Sequence, residues 1–159
     1  MRRFQFEAEV YESLSCVPMA VRRKLDRLGT KIGLEQWQRL GRGERLMICH
    51  APAESAEECS ALRLFIDEAM LAHCGDKPKE LPQEARADAH PPMAAPQQLI
   101  ANAAAAGVAL TPSLWELLDD DQRYALIKLG GSGKHSHNLK AALAEFLTPR
   151  TAVAPPPRS

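Results

Sequence analysis

The sequence has no net charge, no long apolar run and no Cys-x-x-Cys pair. Its 20 lysines and arginines balance its 20 aspartates and glutamates over 159 residues, which excludes a global electrostatic attraction to nucleic acid or to a membrane surface. No apolar stretch approaches the ~20 residues that a membrane-spanning helix requires. The N-terminus also lacks the apolar core of a secretory signal. We therefore expect a cytoplasmic protein with reduced thiols.

The sequence also lacks a recognisable catalytic arrangement. The glycine-rich segment at residues 130–137 contains a lysine, but it does not have the spacing of a phosphate-binding loop and it follows a predicted helix rather than a strand. The acidic run of Asp119, Asp120 and Asp121 lies at a predicted helix N-terminus, where the helix dipole favours carboxylates. No serine, cysteine or paired-carboxylate site follows from spacing. The sequence therefore predicts a protein that is not an enzyme and has no bound cofactor.

Cysteine and histidine are present but poorly placed for metal binding. Cys49 adjoins His50 and His73 adjoins Cys74, and neighbouring residues point in different directions on a helix. The pair of His135 and His137 lies in the predicted flexible loop. A metal or redox carrier is thus the weakest hypothesis that we keep open, and its candidate ligands are these histidines and the four cysteines Cys16, Cys49, Cys59 and Cys74.

A 20-residue pattern occurs twice, at an offset of 78 residues. The offset matches Trp37 to Trp115 and Arg45 to Arg123, together with flanking glycines and aliphatic residues. Both tryptophans of the chain lie in this pattern. We predict that the four residues are structural anchors, with the tryptophans in the core and the arginine stems over the tryptophan-bearing helices. The alternative is that one arginine binds an anionic group of a partner.

Apolar periodicity and capping residues predict an all-α fold with no substantial sheet. Thr111-Pro112, Asp119-x-x-Gln122 and Ser55-x-x-Glu58 are typical helix starts. The repeat predicts two pseudo-symmetric multi-helix lobes. We expect an N-terminal lobe at residues 1–75, a C-terminal lobe at 97–148 and a disordered tail at 149–159. Between the lobes, residues 76–96 are predicted to be a proline-rich linker without regular helix, held to the surface by Leu81 and Met93.

Positive charge is concentrated between Arg22 and Arg45, where the sequence contains eight basic and three acidic residues. One interpretation is a solvated helix face. Another is a nucleic-acid binder with residues 34–40 in a groove of the duplex. The third is a surface for a protein partner, with six candidate contacts: Cys16, Pro18, Met19, Arg22, Arg23 and Arg27.

Several short runs together resemble one protein family. They are Phe4-Gln-Phe-Glu-Ala, Cys16-Val-Pro-Met, Leu34-Glu-Gln-Trp, Lys79-Glu-Leu-Pro and Arg123-Tyr-Ala-Leu-Ile-Lys-Leu. In these runs the chain is similar to the nitrate reductase-associated proteins, a bacterial family often encoded beside nitrate reductase and molybdopterin genes. The resemblance implies a non-catalytic accessory or maturation factor in nitrate assimilation. Its partner would be a molybdenum-dependent assimilatory nitrate reductase, or a protein of molybdenum-cofactor biosynthesis or delivery.

Overall fold

A computed structural model describes residues 1–87, 89–133 and 137–148. Most of these residues are helical, as the sequence predicts, and the only sheet among them has two strands of two residues each. The helices and strands are, in chain order, α1 (Ala8–Ser13), α2 (Met19–Leu28), β1 (Thr30–Lys31), α3 (Leu34–Arg39), α4 (Arg42–His50), α5 (Ala56–Cys74), β2 (Lys79–Glu80), α6 (Gln83–Ala87), α7 (Gln97–Ala105), α8 (Pro112–Glu116), α9 (Asp120–Gly130) and α10 (Asn138–Leu147), and a single 3₁₀ turn (Gln5–Glu7) precedes α1.

Helix starts are fixed by local side-chain bonds. The Ser55 hydroxyl accepts the N–H of Glu58, and the Glu58 carboxylate accepts the N–H of Ser55 in return. Asp119 and Gln122 exchange the same two bonds before α9. Before α4 the capping residue is Gly41, which has no side chain to offer. Only the return bond from the glutamate three residues later remains there, so the start of α4 has one capping bond fewer.

Two hydrophobic cores divide the molecule. The first lies among α2, α3, α4 and α5 and contains Trp37 at 0% exposure. The second lies among α7, α8, α9 and α10 and contains Trp115. The N-terminal segment contributes to this second core as well, because Phe4 and Met19 are buried in it and the rings of Phe4, Phe6 and Phe146 contact one another.

Corresponding helices in the two halves begin at regularly spaced positions. Helices α2, α3 and α4 begin at residues 19, 34 and 42, and α7, α8 and α9 begin at 97, 112 and 120. The left-handed glycines that follow α2 and α7 are Gly29 and Gly107, with φ of +69° and +87°. Each of these spacings equals the offset found in the sequence.

The two tryptophans make corresponding hydrogen bonds. The indole N–H of Trp37 donates to the carbonyl of Leu14 at 2.7 Å, and that of Trp115 donates to the carbonyl of Pro92 at 3.2 Å. Leu14 is itself a buried non-glycine residue at φ +50°. That conformation costs on the order of 1 kcal/mol, and the two bonds that its carbonyl accepts, from Trp37 and from Arg45, help to offset the cost.

The arginines of the repeated pattern also bond to backbone near their own tryptophan. Arg45 Nη2 donates to the carbonyl of Gln38 at 3.3 Å, and Arg123 Nη2 donates to the carbonyl of Glu116 at 3.3 Å. The Arg123 guanidinium also lies over the Trp115 ring, 5.6 Å from its centroid. Both side chains thus place their donors on carbonyls at the end of the preceding short helix.

The prediction that residues 76–96 contain no regular helix is wrong. They include the short helix α6, preceded by Pro82, because a proline at a helix start needs no N–H partner. They also include β2, which pairs antiparallel with β1, Thr30 opposite Glu80. The expected contact of Met93 is wrong too, since that side chain is 83% exposed, whereas Ala89 is fully buried.

Polar contacts connect the two halves across α2 and α9. Asp26 on α2 accepts a hydrogen bond from the Tyr124 hydroxyl at 2.7 Å and pairs with Lys128 at 3.3 Å. A second connection joins the N-terminal segment to α10, where the Glu145 carboxylate accepts the N–H groups of Gln5 and Phe6, both at 2.9 Å. None of the helices formed by the described residues has the length and hydropathy needed to cross a bilayer.

Candidate functional site

The predicted contact segment at residues 16–19 is mostly interior. Pro18 and Met19 are buried, and Met19 belongs to the second core. The N–H of Met19 donates to both oxygens of the Glu7 carboxylate, at 3.2 and 3.1 Å. Only Cys16 is partly exposed. A partner can therefore reach Cys16, whereas Pro18 and Met19 support the surface from beneath.

The three predicted contact arginines have different environments. Arg23 donates to the Ala89 carbonyl at 2.9 Å and pairs with Asp121 at 2.7 Å and Asp120 at 3.2 Å, so it is committed to the fold. Arg27 pairs with the exposed Glu54 through both terminal nitrogens at 3.3 Å.

Arg22 is exposed and uses only Nε internally, in a 3.2 Å bond to the Val17 carbonyl. Its terminal nitrogens have no hydrogen-bond partner in the part of the chain that the structure describes. Of the three predicted contact arginines, Arg22 is thus the one that can meet a partner without first breaking an ion pair with a described residue.

Arg22 lies at a cleft of about 230 Å³ between α2, β1 and the start of α3. The cleft exists because Gly29 takes a left-handed conformation after α2 and turns the chain back along that helix as β1. Gly33 then redirects the chain into α3. The apolar wall of the cleft consists of Val17, Leu25, Ile32 and the half-exposed Leu34.

The polar groups of this cleft are Arg22, Asp26, Thr30 and Lys31. Thr30 is fully buried and its hydroxyl has no hydrogen-bond partner among the described residues. Lys31 is exposed and makes no ion pair with any described residue. Asp26 is already engaged by Tyr124 and Lys128. Neither Arg22 nor Lys31 forms an ion pair with a described residue, so the charge available to a partner at the cleft is positive.

A buried carboxylate lies behind this surface. Glu7 is 8% exposed, and it accepts bonds from the Tyr11 hydroxyl and from the backbone N–H of Met19. Burial raises the pKa of Glu7, and the hydrogen bonds and the nearby charge of Arg22 only partly oppose that effect. The same burial and the bond to Glu7 raise the pKa of Tyr11. This pair ties the N-terminal segment to the start of α2.

Comparison with models of known protein families shows to which family the chain belongs. A family model described as conserved nitrate reductase-associated protein matches residues 3–146. The chain belongs to this family. The match covers both cores and the cleft. No curated protein and no solved structure matches the chain.

The cysteines of this nitrate reductase-associated protein are free and dispersed. Burial raises the pKa of the Cys49 thiol, so this group is a poor thiolate nucleophile or redox centre at neutral pH. Within residues 1–87, 89–133 and 137–148, no three side chains of His, Cys, Asp or Glu cluster as metal ligands would. His135, part of one predicted pair, lies outside the described residues.

Lys24 lies beside Cys49 and has an internal role that the sequence did not predict. Its ammonium group donates to the carbonyls of Ile48, Cys49 and Ala51 at 2.9, 3.0 and 2.7 Å, which closes the C-terminal end of α4. Burial lowers the pKa of Lys24. This lysine holds α2 against α4 and is not part of an open basic face.

Helix α3 does not present a basic nucleic-acid-binding face. It has six residues, and both Trp37 and the following Leu40 are buried. On its exposed side Arg39 pairs with Glu35 at 2.8 Å. The charge of Arg39 is thus balanced on the same helix. No feature of α3 supports the hypothesis that residues 34–40 bind in a groove of a nucleic-acid duplex.

Proposed function

We propose that this chain acts in the cytoplasm as a non-catalytic accessory or maturation factor for a molybdenum-dependent assimilatory nitrate reductase. It would bind the reductase itself, or a protein that makes or delivers the molybdenum cofactor, by direct protein–protein contact. The observation that carries the proposal is the family match over residues 3–146, because the family is described as associated with nitrate reductase rather than as a catalyst.

The distribution of polar contacts supports an interaction surface at the cleft end of α2. Arg23 and Lys24 donate to groups within the fold and Arg27 pairs with the exposed Glu54, whereas the terminal nitrogens of Arg22 have no hydrogen-bond partner among the described residues. Cys16 lies six residues before Arg22 and is also partly exposed. Of the predicted contacts, we retain Cys16 and Arg22 as those that touch the partner, with Pro18 and Met19 in support.

We also propose that the two halves are an internal repeat, with lobes built from residues 1–75 and 97–148 around Trp37 and Trp115. Equal helix spacings and corresponding indole hydrogen bonds support the repeat. In this view the matched Arg45 and Arg123 are structural anchors. The N-terminal segment is an exception, since Phe4 packs in the core of the other lobe.

The test is recovery of partners from cells grown on nitrate. The tagged chain is purified after mild cross-linking, and bound proteins are identified by mass spectrometry. Recovery of nitrate reductase or of a molybdenum-cofactor protein is the expected result. The same cells, with the gene deleted, should contain nitrate reductase polypeptide with low activity and a low molybdenum content.

A matched control separates specific recovery from charge effects. Lys140 is an exposed lysine on α10, far in sequence from the cleft, and Lys140→Glu should recover the partner as the wild type does. Normal nitrate reductase activity and molybdenum content in the deletion strain, together with no partner in the cross-linked sample, would contradict the proposed function.

A further inference from the structure

The cleft formed by Val17, Arg22, Leu25, Thr30, Lys31 and Leu34 has the size of a side-chain receptor. Its volume of about 230 Å³ is below the ~300–1,000 Å³ typical of small-molecule sites. One or two side chains of another protein fit such a volume. The cleft also combines an apolar wall with two cations at its rim, which selects for a particular kind of segment.

We propose that this cleft binds an acidic side chain of the partner protein together with an adjacent apolar side chain. The carboxylate would lie between Arg22 and Lys31, and the apolar side chain would pack on Leu25, Ile32 and Leu34. The inference rests on the proposed function in one respect, namely that the natural occupant belongs to a protein partner.

Charge complementarity is the first argument. Two acidic groups lie near the cations, and each already has partners: Asp26 has Tyr124 and Lys128, and Glu7 has Tyr11 and the N–H of Met19. The guanidinium of Arg22 therefore retains two terminal nitrogens that can donate to a carboxylate in the bidentate manner that arginine favours.

Thr30 is the second, independent argument. Its buried hydroxyl lacks a partner among the described residues, and such a group is costly to leave unsatisfied. The hydroxyl oxygen is fully shielded in the unbound structure, so the cleft must open beside Thr30 before a carboxylate oxygen can accept its proton. Valine has a similar shape and would fill the position without this cost. This cost of an unsatisfied hydroxyl is the second argument for a role of Thr30 in binding.

The binding test uses two blocked pentapeptides and the full chain labelled with ¹⁵N. The probe is acetyl-Ala-Ala-Glu-Leu-Ala-amide, and its control has glutamine in place of the glutamate. The expected result is that the first peptide shifts the amide signals of Thr30, Lys31 and Ile32 in a saturable titration. The glutamine peptide should bind about tenfold more weakly, since it loses charge-assisted hydrogen bonds.

Variants connect the titration to the cleft. Arg22→Glu with Lys31→Glu should lose the response, and Lys140→Glu should keep it. Thr30→Val should bind the peptide about three- to tenfold more weakly while its Tm stays equal or rises, which a purely structural threonine would not show. Equal affinity for both peptides, or shifts confined to another surface, would overturn the proposal.

The same variants tested against purified nitrate reductase separate this inference from the proposed function. Peptide binding at the cleft without any reductase binding would reject the reductase as partner and leave the cleft assignment intact. Reductase binding that Arg22→Glu with Lys31→Glu leaves unchanged would reject the cleft and leave the proposed function intact.

Discussion

Arg22 and Arg23 are adjacent in the sequence, yet charge reversal should affect them very differently. The Arg23 side chain is 16% exposed and joins α2 to the carbonyl of Ala89, in the segment between the lobes, and to the carboxylates of Asp120 and Asp121 in the other half. Arg22 is exposed and has one internal bond. We predict that Arg23→Glu destabilises the fold strongly and that Arg22→Glu does so only weakly.

The magnitude follows from the contacts of Arg23. Loss of the hydrogen bond from the charged Arg23 guanidinium to the carbonyl of the buried Ala89 lowers the free energy of unfolding by about 1.5–3 kcal/mol. The pair with Asp121, whose side chain is 30% exposed, adds about 1 kcal/mol or less because solvent screens it. A glutamate near two carboxylates adds about 1–2 kcal/mol of repulsion. The sum for Arg23→Glu is about 2.5–6 kcal/mol, against about 1 kcal/mol for Arg22→Glu.

Urea unfolding followed by circular dichroism measures both free energies. The double variant Arg23→Glu with Asp121→Lys is the matched control, since it restores one pair with reversed charges and should recover about 1 kcal/mol. If the two single variants lose equal stability, or if Arg23→Glu unfolds at the wild-type urea concentration, the contacts of Arg23 do not stabilise the fold. Binding experiments should therefore reverse Arg22 and leave Arg23 unchanged.

Three further variants test other contacts. Gly107→Ala should lower the free energy of unfolding by about 1–2 kcal/mol, because alanine is strained in a left-handed backbone. Gly29→Ala should lower it by about 1 kcal/mol more, because the new Cβ would lie 2.4 Å from the Arg86 guanidinium. Tm measurements on the two variants side by side check this difference. Glu7→Gln should be as stable as the wild type at pH 7. Because the folded-state pKa of Glu7 is raised above 4.5, wild-type stability relative to this variant should fall as pH rises through that pKa, as urea titrations at several pH values would show. Lys24→Met should cost about 2–4 kcal/mol in thermal unfolding, since three carbonyls at the end of α4 lose their donor.

The sequence predicts those features that depend on local chemistry. The starts of α5, α8 and α9 follow from Ser55, Thr111 and Asp119, because a capping bond spans only three residues. The burial of both tryptophans follows from apolar spacing alone. The structure confirms the prediction of a mostly helical fold. That prediction is possible because helix periodicity and helix stops can be recognised in short stretches of sequence.

Features that depend on distant contacts could not be predicted. From the sequence, Arg23 is expected to face solvent on α2. In the structure it lies beside Asp121, which is 98 positions later in the chain. Phe4 and Met19 enter the second core because the N-terminal segment crosses to α10, which no local pattern indicates. The cleft was missed because Thr30 is an ordinary strand residue in sequence, and its unsatisfied hydroxyl is visible only after folding.

The proposed repeat provides a way to separate structural residues from functional ones. Positions that maintain the fold of each half should match across the offset, as Trp37 and Trp115 do with their corresponding indole bonds. The three polar cleft residues proposed to bind the carboxylate do not match. Arg22, Thr30 and Lys31 correspond to Ile100, Val108 and Ala109, which have neither charge nor hydroxyl.

At the matched position after α7, the second half has a left-handed glycine but none of the polar groups of the cleft. Its glycine, Gly107, has the same left-handed backbone as Gly29, so the turn itself does not require a threonine or a lysine. Since the polar groups are dispensable for this geometry in one half, their presence in the other half needs another reason. Under the two proposals, binding of a carboxylate from a partner would be that reason, and the asymmetry between the halves would be functional.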